Sequence, residues 1–355
     1  MNAADVLAQL DTFDTIIDAR SESEFALDHL PGAVNWPTLN DEERKLIGTM
    51  YVQVNQFEAK KRGAALAARN IAAHIEREVI DKPREWKPLA YCWRGGKRSG
   101  SLSLILDQIG FRVTLVEGGY KAFRAAMLLD IPRQVSQLNF QVVCGTTGSG
   151  KTRLLQALAI AGAQVLDLEA LANHRSSVLG AIPGLAQPSQ KHFDSLVWDA
   201  LRGFDPARPV FVESESKKVG NVAVPATLVE RMRESPCLDL NLPMNERVAL
   251  LMEDYDFFVK DSAHFCERLD VLAEFRGKAL VQAWKDQVAS GNVESVVHDL
   301  LTQHYDPVYL QSMQRNFRQY PLAMSIAPRD RSLAAMRQLA EDLLQHPAGA
   351  AIPKA

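Results

Sequence analysis

Short apolar runs alternate with helix-spaced stretches through the first two thirds of the chain. Thr15-Ile16-Ile17-Asp18 predicts a buried strand, and Leu89-Ala90-Tyr91 predicts another that ends at Cys92. Between Ser101 and Gly110, the residues Leu102, Ile105, Leu106 and Ile109 fall at helical spacing. Val113-Thr114-Leu115-Val116 is a further strand-like run, closed by Glu117-Gly118-Gly119. Strand, loop, helix and strand make a βαβ unit, and that connection implies a parallel sheet. The pattern restarts at Phe140-Gln141-Val142-Val143 and continues with a helix from Arg153 to Ala161. The runs Gln164-Val165-Leu166-Asp167 and Pro209-Val210-Phe211-Val212-Glu213 predict the next strands. Pro132 and its polar neighbours interrupt the pattern between Ile131 and Leu138, which places a domain boundary there. Beyond about Asn245 the spacing turns helical, as in Ser262 to Ser290 and Ser332 to Leu344, and Pro347 to Ala355 predict a frayed end. The expected class is α/β: a parallel-sheet domain over 1–134, a second α/β domain over 135–244 and a helical region over 245–355.

Composition narrows the class without deciding the chemistry. The 355 residues suffice for about two domains, and 47% hydrophobic with 23% charged residues is ordinary for a globular chain. A formal net charge of -3 gives no bulk nucleic-acid signature, so any RNA contact must use local basic patches. No apolar run approaches the roughly 20 residues of a membrane span. Met1-Asn2-Ala3-Ala4-Asp5 lacks the pattern of a signal peptide. Cys92, Cys144, Cys237 and Cys266 form no CxxC pair and no zinc-ligand spacing. A reducing cytoplasm is the expected location, with no membrane partner.

Two loops carry the candidate chemistry. The first is Cys92-Trp93-Arg94-Gly95-Gly96-Lys97-Arg98-Ser99. A thiolate is the nucleophilic form of cysteine, and positive surroundings favour it. Cys92 follows a strand and precedes a helix, so loop N–H groups and the helix N-terminus should face the sulfur or an anion bound to it. Arg94, Lys97 and Arg98 add charge. Cys92 and Arg98 are the catalytic candidates; Arg94, Gly95, Gly96, Lys97 and Ser99 are expected to bind the anionic guest.

The second loop, Gly145-Thr146-Thr147-Gly148-Ser149-Gly150-Lys151-Thr152, is a complete P-loop between a strand and a helix. Its N–H groups cradle phosphate oxygens, Lys151 bridges outer phosphates and Thr152 can hold Mg²⁺. Metal identity is open on sequence grounds. Glu213 and Asp167 compete for the role of second carboxylate. The motif reports a polyphosphate and no particular base.

The first half resembles the rhodanese family. The likeness rests on Ile17-Asp18-Ala19-Arg20, Glu24-Phe25 and His29-Leu30-Pro31-Gly32-Ala33-Val34-Asn35, over roughly residues 10 to 130. The Cys-x5-Arg loop is one residue longer than the family's usual loop, which suggests a larger or differently shaped guest. Asp18 with Arg20 reads as a bracing ion pair, and His29 as structural. A rhodanese loop followed by a P-loop and a helical tail resembles the tRNA 2-selenouridine synthase family. Further stretches fit: Gly118-Gly119-Tyr120-Lys121, Asp167 to Arg175, Gln187-Pro188-Ser189-Gln190-Lys191 and Glu213-Ser214-Glu215-Ser216.

That resemblance implies a transferase acting on tRNA with 2-thiouridine at the wobble position. Geranyl diphosphate and selenophosphate would be co-substrates, the latter provided by a selenophosphate supplier. The sulfur would be geranylated first and then replaced by selenium. The P-loop would hold the diphosphate, and the Cys92 loop the selenophosphate. His174 and Arg175 would line the substrate site, and Trp93 would shape a pocket for the prenyl chain. Lys60-Lys61-Arg62, Lys217-Lys218, Arg231 with Arg233, and Arg315 with Arg318 around Phe317 are candidate RNA patches. Two other readings stand beside this one. One is a rhodanese-type sulfurtransferase coupled to an ATP-dependent P-loop domain. The other is a phosphatase-like loop with a nucleotide-responsive module.

Overall fold

The computed structural model describes residues 1–177, 179–182 and 184–345. The expected frayed end from Pro347 lies outside the described residues. The chain divides into two compact units: Met1–Arg133 with Pro188–Asp199, and Gln134–Gln187 with Ala200–Ala355.

In the first unit, β1 (Thr15–Asp18), β2 (Ala33–Asn35), β3 (Pro88–Tyr91) and β4 (Thr114–Leu115) form a parallel sheet in the order β2-β1-β3-β4. Every residue of β3 is buried, as expected of a central parallel strand covered on both faces. The helix after β3 spans Lys97–Ile109, and Leu102 and Leu106 on its inner side are fully buried. Their core includes Ile17, Trp36, Ile71, Trp86 and Ala90. Between β2 and β3 the chain inserts two helices, Asp41–Gln53 and Gln56–Glu78, which the apolar pattern had not suggested. Their starts are chemically marked: Asn40 makes a capping box with Glu43, and Asn55 Oδ1 accepts from the Phe57 and Glu58 N–H groups.

In the second unit, β5 (Asn139–Cys144), β6 (Gln164–Leu166) and β7 (Pro209–Glu213) are the strands expected from the apolar runs. A small antiparallel hairpin, β8 (Lys218–Val219) and β9 (Val222–Ala223), follows. Then come β10 (Cys237–Leu240) and β11 (Met324–Ile326), giving a parallel sheet in the order β11-β10-β5-β7-β6. The region is helical as expected, and it also returns one strand, β11, to the sheet. Three residues are too few to show a period in sequence. Helix Leu333–Gln345 follows, and Met336, Leu339, Ala340 and Leu343 join the core around Val143, Leu154 and Leu158.

The division between the two units falls at Arg133 and Gln134, inside the stretch where Pro132 interrupts the pattern, and helix Gly119–Gln137 runs through it. Ile131, Val135 and Leu138 are all buried, and their burial offsets the roughly 3 kcal/mol that an internal proline costs. The stretch from Ser262 to Ser290 is not one helix. It breaks into Ser262–Leu269, Ala273–Arg276 and Lys278–Ala289, with Gly277 at a φ of 84° between the last two. Among the described residues no helix is long and apolar enough to cross a membrane.

Candidate functional site

Cys92 sits at the C-terminal end of β3, buried to 2% exposure. Its Sγ accepts from the Gly96 N–H at 3.1 Å and from Ser99 Oγ at 3.2 Å. Burial works to raise the thiol's pKa, but the Ser99 and Gly96 hydrogen bonds and the Arg98 charge outweigh it and hold the group below the ordinary cysteine value. The cradle therefore favours the thiolate more than an ordinary cysteine environment does. Arg94 and Lys97 are exposed on its rim. Gly119 closes the loop from below: its φ is 58°, and a Cβ there would sit 2.2 Å from the Cys92 carbonyl oxygen.

Arg98 is not free to grip a guest alone. Its Nη1 donates to Glu24 Oε2 at 2.6 Å, and Arg44 Nε lies 3.2 Å from the same oxygen. Glu24, which also closes the capping box of helix Glu22–Leu27, carries part of the rhodanese likeness but was not expected at the site. Asp18 and Arg20 form a fully buried pair, with Nη2 to Oδ2 at 2.6 Å, and Arg20 also reaches the Asp28 carbonyl at 2.7 Å. This is bracing between β1 and the following loop. His29 Nδ1 donates to the Phe25 carbonyl, 2.9 Å away, and the imidazole stacks on the Phe25 ring.

The P-loop joins β5 to helix Lys151–Ile160. Gly145 has a φ of 150°, and a Cβ there would meet the Leu240 carbonyl oxygen at 2.7 Å. Lys151 Nζ donates to the Gly145 carbonyl at 2.7 Å and lies 5.4 Å from the Tyr309 ring centroid. Tyr309 Oη accepts from the Gly145 N–H at 2.7 Å. Arg247 holds the Thr147 carbonyl. Ser149 is fully buried, and Gly148 and Gly150 adopt left-handed φ values. Thr146 lends its carbonyl as a second, longer acceptor for Lys151, at 3.4 Å.

Beside the loop stand three carboxylates. Thr152 Oγ1 donates to Glu169 at 3.3 Å, and Glu213 Oε1 accepts from the Glu169 N–H at 3.0 Å. Oxygens of Glu169, Glu213 and Glu215 lie within 4.8 Å of one another. Burial raises all three; the charges of Glu169 and Glu215 add to it at Glu213, which lies well above the usual range, that of Glu169 adds at Glu215, pushed up to about 7, and that of Asp167 adds at Glu169. Such a cluster takes up either protons or a cation. Asp167 is outside it: its Oδ1 caps helix Leu168–Ala172 by accepting from the Ala170 N–H at 2.8 Å. Glu169 and Glu215 were missed because only Glu213 ends an apolar run.

An apolar pocket opens next to the P-loop, with about 520 Å³ of empty space, part of it open to solvent. Thr147 of the loop lines it, with Leu251, Phe258, Val297, Leu300 and Tyr305 among its walls. Trp93 is not among the residues that line it. Arg175 is near: it donates to the Asp254 carbonyl and lies 4.5 Å from the ring centroid of Tyr255, which also lines the pocket. His174 instead forms an isolated bridge with Ala181. Phe317 is 4% exposed, so it offers no face for a base, and Arg318 pairs with Glu234 at 2.8 Å.

Comparison with known proteins places these sites in context. The family model described as "tRNA 2-selenouridine synthase AAA domain" matches residues 138–278, and the rhodanese-like domain model matches residues 2–126. The tRNA 2-selenouridine synthase of Marinobacter nauticus is 33% identical, over 83% of this chain and 87% of its own. That of Alcanivorax borkumensis is 31% identical, over 84% and 90%. That of Pseudomonas putida is 32% identical, over 83% and 86%.

Proposed function

The chain belongs to the tRNA 2-selenouridine synthase family, and on that premise we propose that it converts wobble 2-thiouridine of tRNA to 2-selenouridine in two steps. In the first, the thiouridine sulfur attacks the C1 carbon of geranyl diphosphate. The C–S bond forms as the C–O bond to diphosphate breaks, and diphosphate leaves. In the second, selenophosphate supplies selenium at the selenide level: the C–Se bond forms as the C–S bond breaks and geranyl thiol leaves, while water cleaves the P–Se bond to release inorganic phosphate.

The observation that carries the first step is the contact between the P-loop and the apolar pocket at Thr147. A loop for a diphosphate beside an apolar hollow suits an anionic head with a hydrocarbon tail. The loop amides and Lys151 offset charge that develops on the departing diphosphate. Thr152, Glu169, Glu213 and Glu215 fit a divalent cation such as Mg²⁺, since three crowded carboxylates and a hydroxyl form an all-oxygen donor set. Such an ion would neutralise the diphosphate. The Cys92 loop would hold selenophosphate, with its oxyanion end at the Gly95–Ser99 amides, Arg94 and Lys97 and its selenium beside the Cys92 sulfur.

The test is nucleoside mass spectrometry of 2-thiouridine tRNA incubated with the protein, omitting each donor in turn. Geranylated thiouridine with geranyl diphosphate alone, and selenouridine with both donors, is the expected outcome. Unchanged thiouridine under every condition overturns the reading.

A further inference from the structure

Trp93 follows the reactive cysteine and is partly exposed, yet it is held in place from several sides. The Cys92 and Trp93 carbonyls accept from the Tyr120 and Lys121 N–H groups at 2.8 and 3.1 Å. The Tyr120 ring stacks on the Trp93 ring, with centroids 5.4 Å apart and planes 26° from parallel. Tyr120 is itself anchored, since its Oη donates to the buried Asp28 carboxylate at 2.6 Å. An indole fixed in this way keeps its orientation at little entropic cost when a planar guest arrives.

The surrounding charge is unevenly used. Arg98 is neutralised by Glu24. Lys191 comes from the segment Pro188–Asp199, which belongs to the same compact unit, and its Nζ lies 5.9 Å from the Trp93 ring centroid. Among the described residues, no carboxylate forms an ion pair with Lys191, Arg94 or Lys97. A rigid aromatic ring with the unpaired ammonium of Lys191 over it is the chemistry that receives one unstacked base and an adjacent phosphate. A generic anion would need no ring, and an apolar chain would need no cations.

We propose that Trp93 and Lys191 form the nucleotide receptor of the Cys92 loop: the pyrimidine to be modified stacks on Trp93, and Lys191 moves from the ring to an adjacent phosphate. The assignment rests on the reading that 2-thiouridine tRNA is the substrate. It adds the place where that base is held beside the thiolate. The Gln-Pro-Ser-Gln-Lys stretch then supplies a binding residue to the first unit, in addition to any packing role.

The experiment uses the full chain without either donor, titrated with an anticodon stem-loop carrying 2-thiouridine at the wobble position. Stacking predicts quenching of indole fluorescence that is missing in Trp93→Phe. Trp93→Ala should bind roughly five- to hundredfold more weakly. Lys191→Gln should lower the slope of log affinity against log salt by about 0.7, the value of one single-strand phosphate contact. Quenching that persists in Trp93→Phe overturns the proposal, even where Trp93→Ala does not fold. An unchanged salt slope in Lys191→Gln overturns the part assigned to that lysine. Because neither donor is present, a protein that shows the Trp93 contact but never selenates would fail the proposed chemistry and leave this receptor standing.

Discussion

Arg247 donates from Nε and Nη2 to the Thr147 carbonyl of the phosphate loop, at 2.9 and 2.7 Å, while its Nη1 and Nη2 hold Asp306 at 2.9 and 2.6 Å. Two helices of the C-terminal region, Met244–Asp254 and Asp306–Asn316, thereby fix the outward face of the loop. The fork geometry is specific to arginine. Arg247→Lys should weaken binding of inorganic diphosphate about tenfold, measured by calorimetry. Asp306→Ala strands a buried guanidinium and should cost about 3 kcal/mol in urea unfolding. Diphosphate affinity unchanged in Arg247→Lys would show that the loop holds its shape without this residue.

Lys151 is expected to act on the departing diphosphate. Lys151→Ala should reduce geranylation by roughly two to three orders of magnitude, as for loss of one preorganised donor. Selenation of unmodified 2-thiouridine tRNA should fall with it, whereas tRNA supplied already S-geranylated should still be selenated. Normal geranylation with lost selenation would remove the P-loop from the first step.

The apolar pocket and the loop can be separated by filling the pocket. Val297→Trp adds bulk among Leu300, Leu301 and Phe258. It should raise the KM for geranyl diphosphate while inorganic diphosphate binds as before. Overpacking costs about 1–3 kcal/mol, so an unfolding measurement accompanies the kinetics. Equal loss for both ligands would mean that the tail does not enter this pocket.

Ser99 and Gly96 hold the Cys92 thiol below its ordinary pKa against the opposing effect of burial. Removing the Ser99 hydroxyl removes the largest stabilising contribution, so the Ser99→Ala thiol should titrate at higher pH. The alkylation rate by iodoacetamide, followed against pH, should show its inflection displaced upward and its rate at neutral pH reduced. A coincident profile for the two proteins would assign the low value to the Gly96 amide and the Arg98 charge alone.

Much of this was legible locally. The strands β1, β3, β5 and β7 are apolar runs, and both loops announce themselves because their chemistry sits in consecutive residues. What escaped the sequence depends on distance along the chain. Arg98 and its partner Glu24 are 74 residues apart, and Arg247 is 100 from Thr147. The pocket gathers side chains from Thr147 to Tyr305, each of which reads as ordinary helix core. At Pro132 the helix continues, because burial of Ile131, Val135 and Leu138 overrides the local preference, while the units divide at Arg133 and Gln134. Asp167 and Glu213 looked equivalent as strand-end acids until the cap at Ala170 separated them.

The first unit is discontinuous, and this bears on how the protein is made. Trp198 packs edge-on against Phe123 with centroids 5.7 Å apart and donates to Asp130 at 2.9 Å, while Asp194 takes Arg124 at 2.6 Å. Phe123, Met127 and Trp198 are all at most 1% exposed. A nascent chain that has released only its first 133 residues therefore shows the ribosome exit an unfinished apolar face. That face stays uncovered until Trp198 emerges, some seconds later at typical synthesis rates of about 5–20 residues per second. During that interval the thiolate loop already exists in sequence, but the residue beside Trp93 has not yet been synthesised.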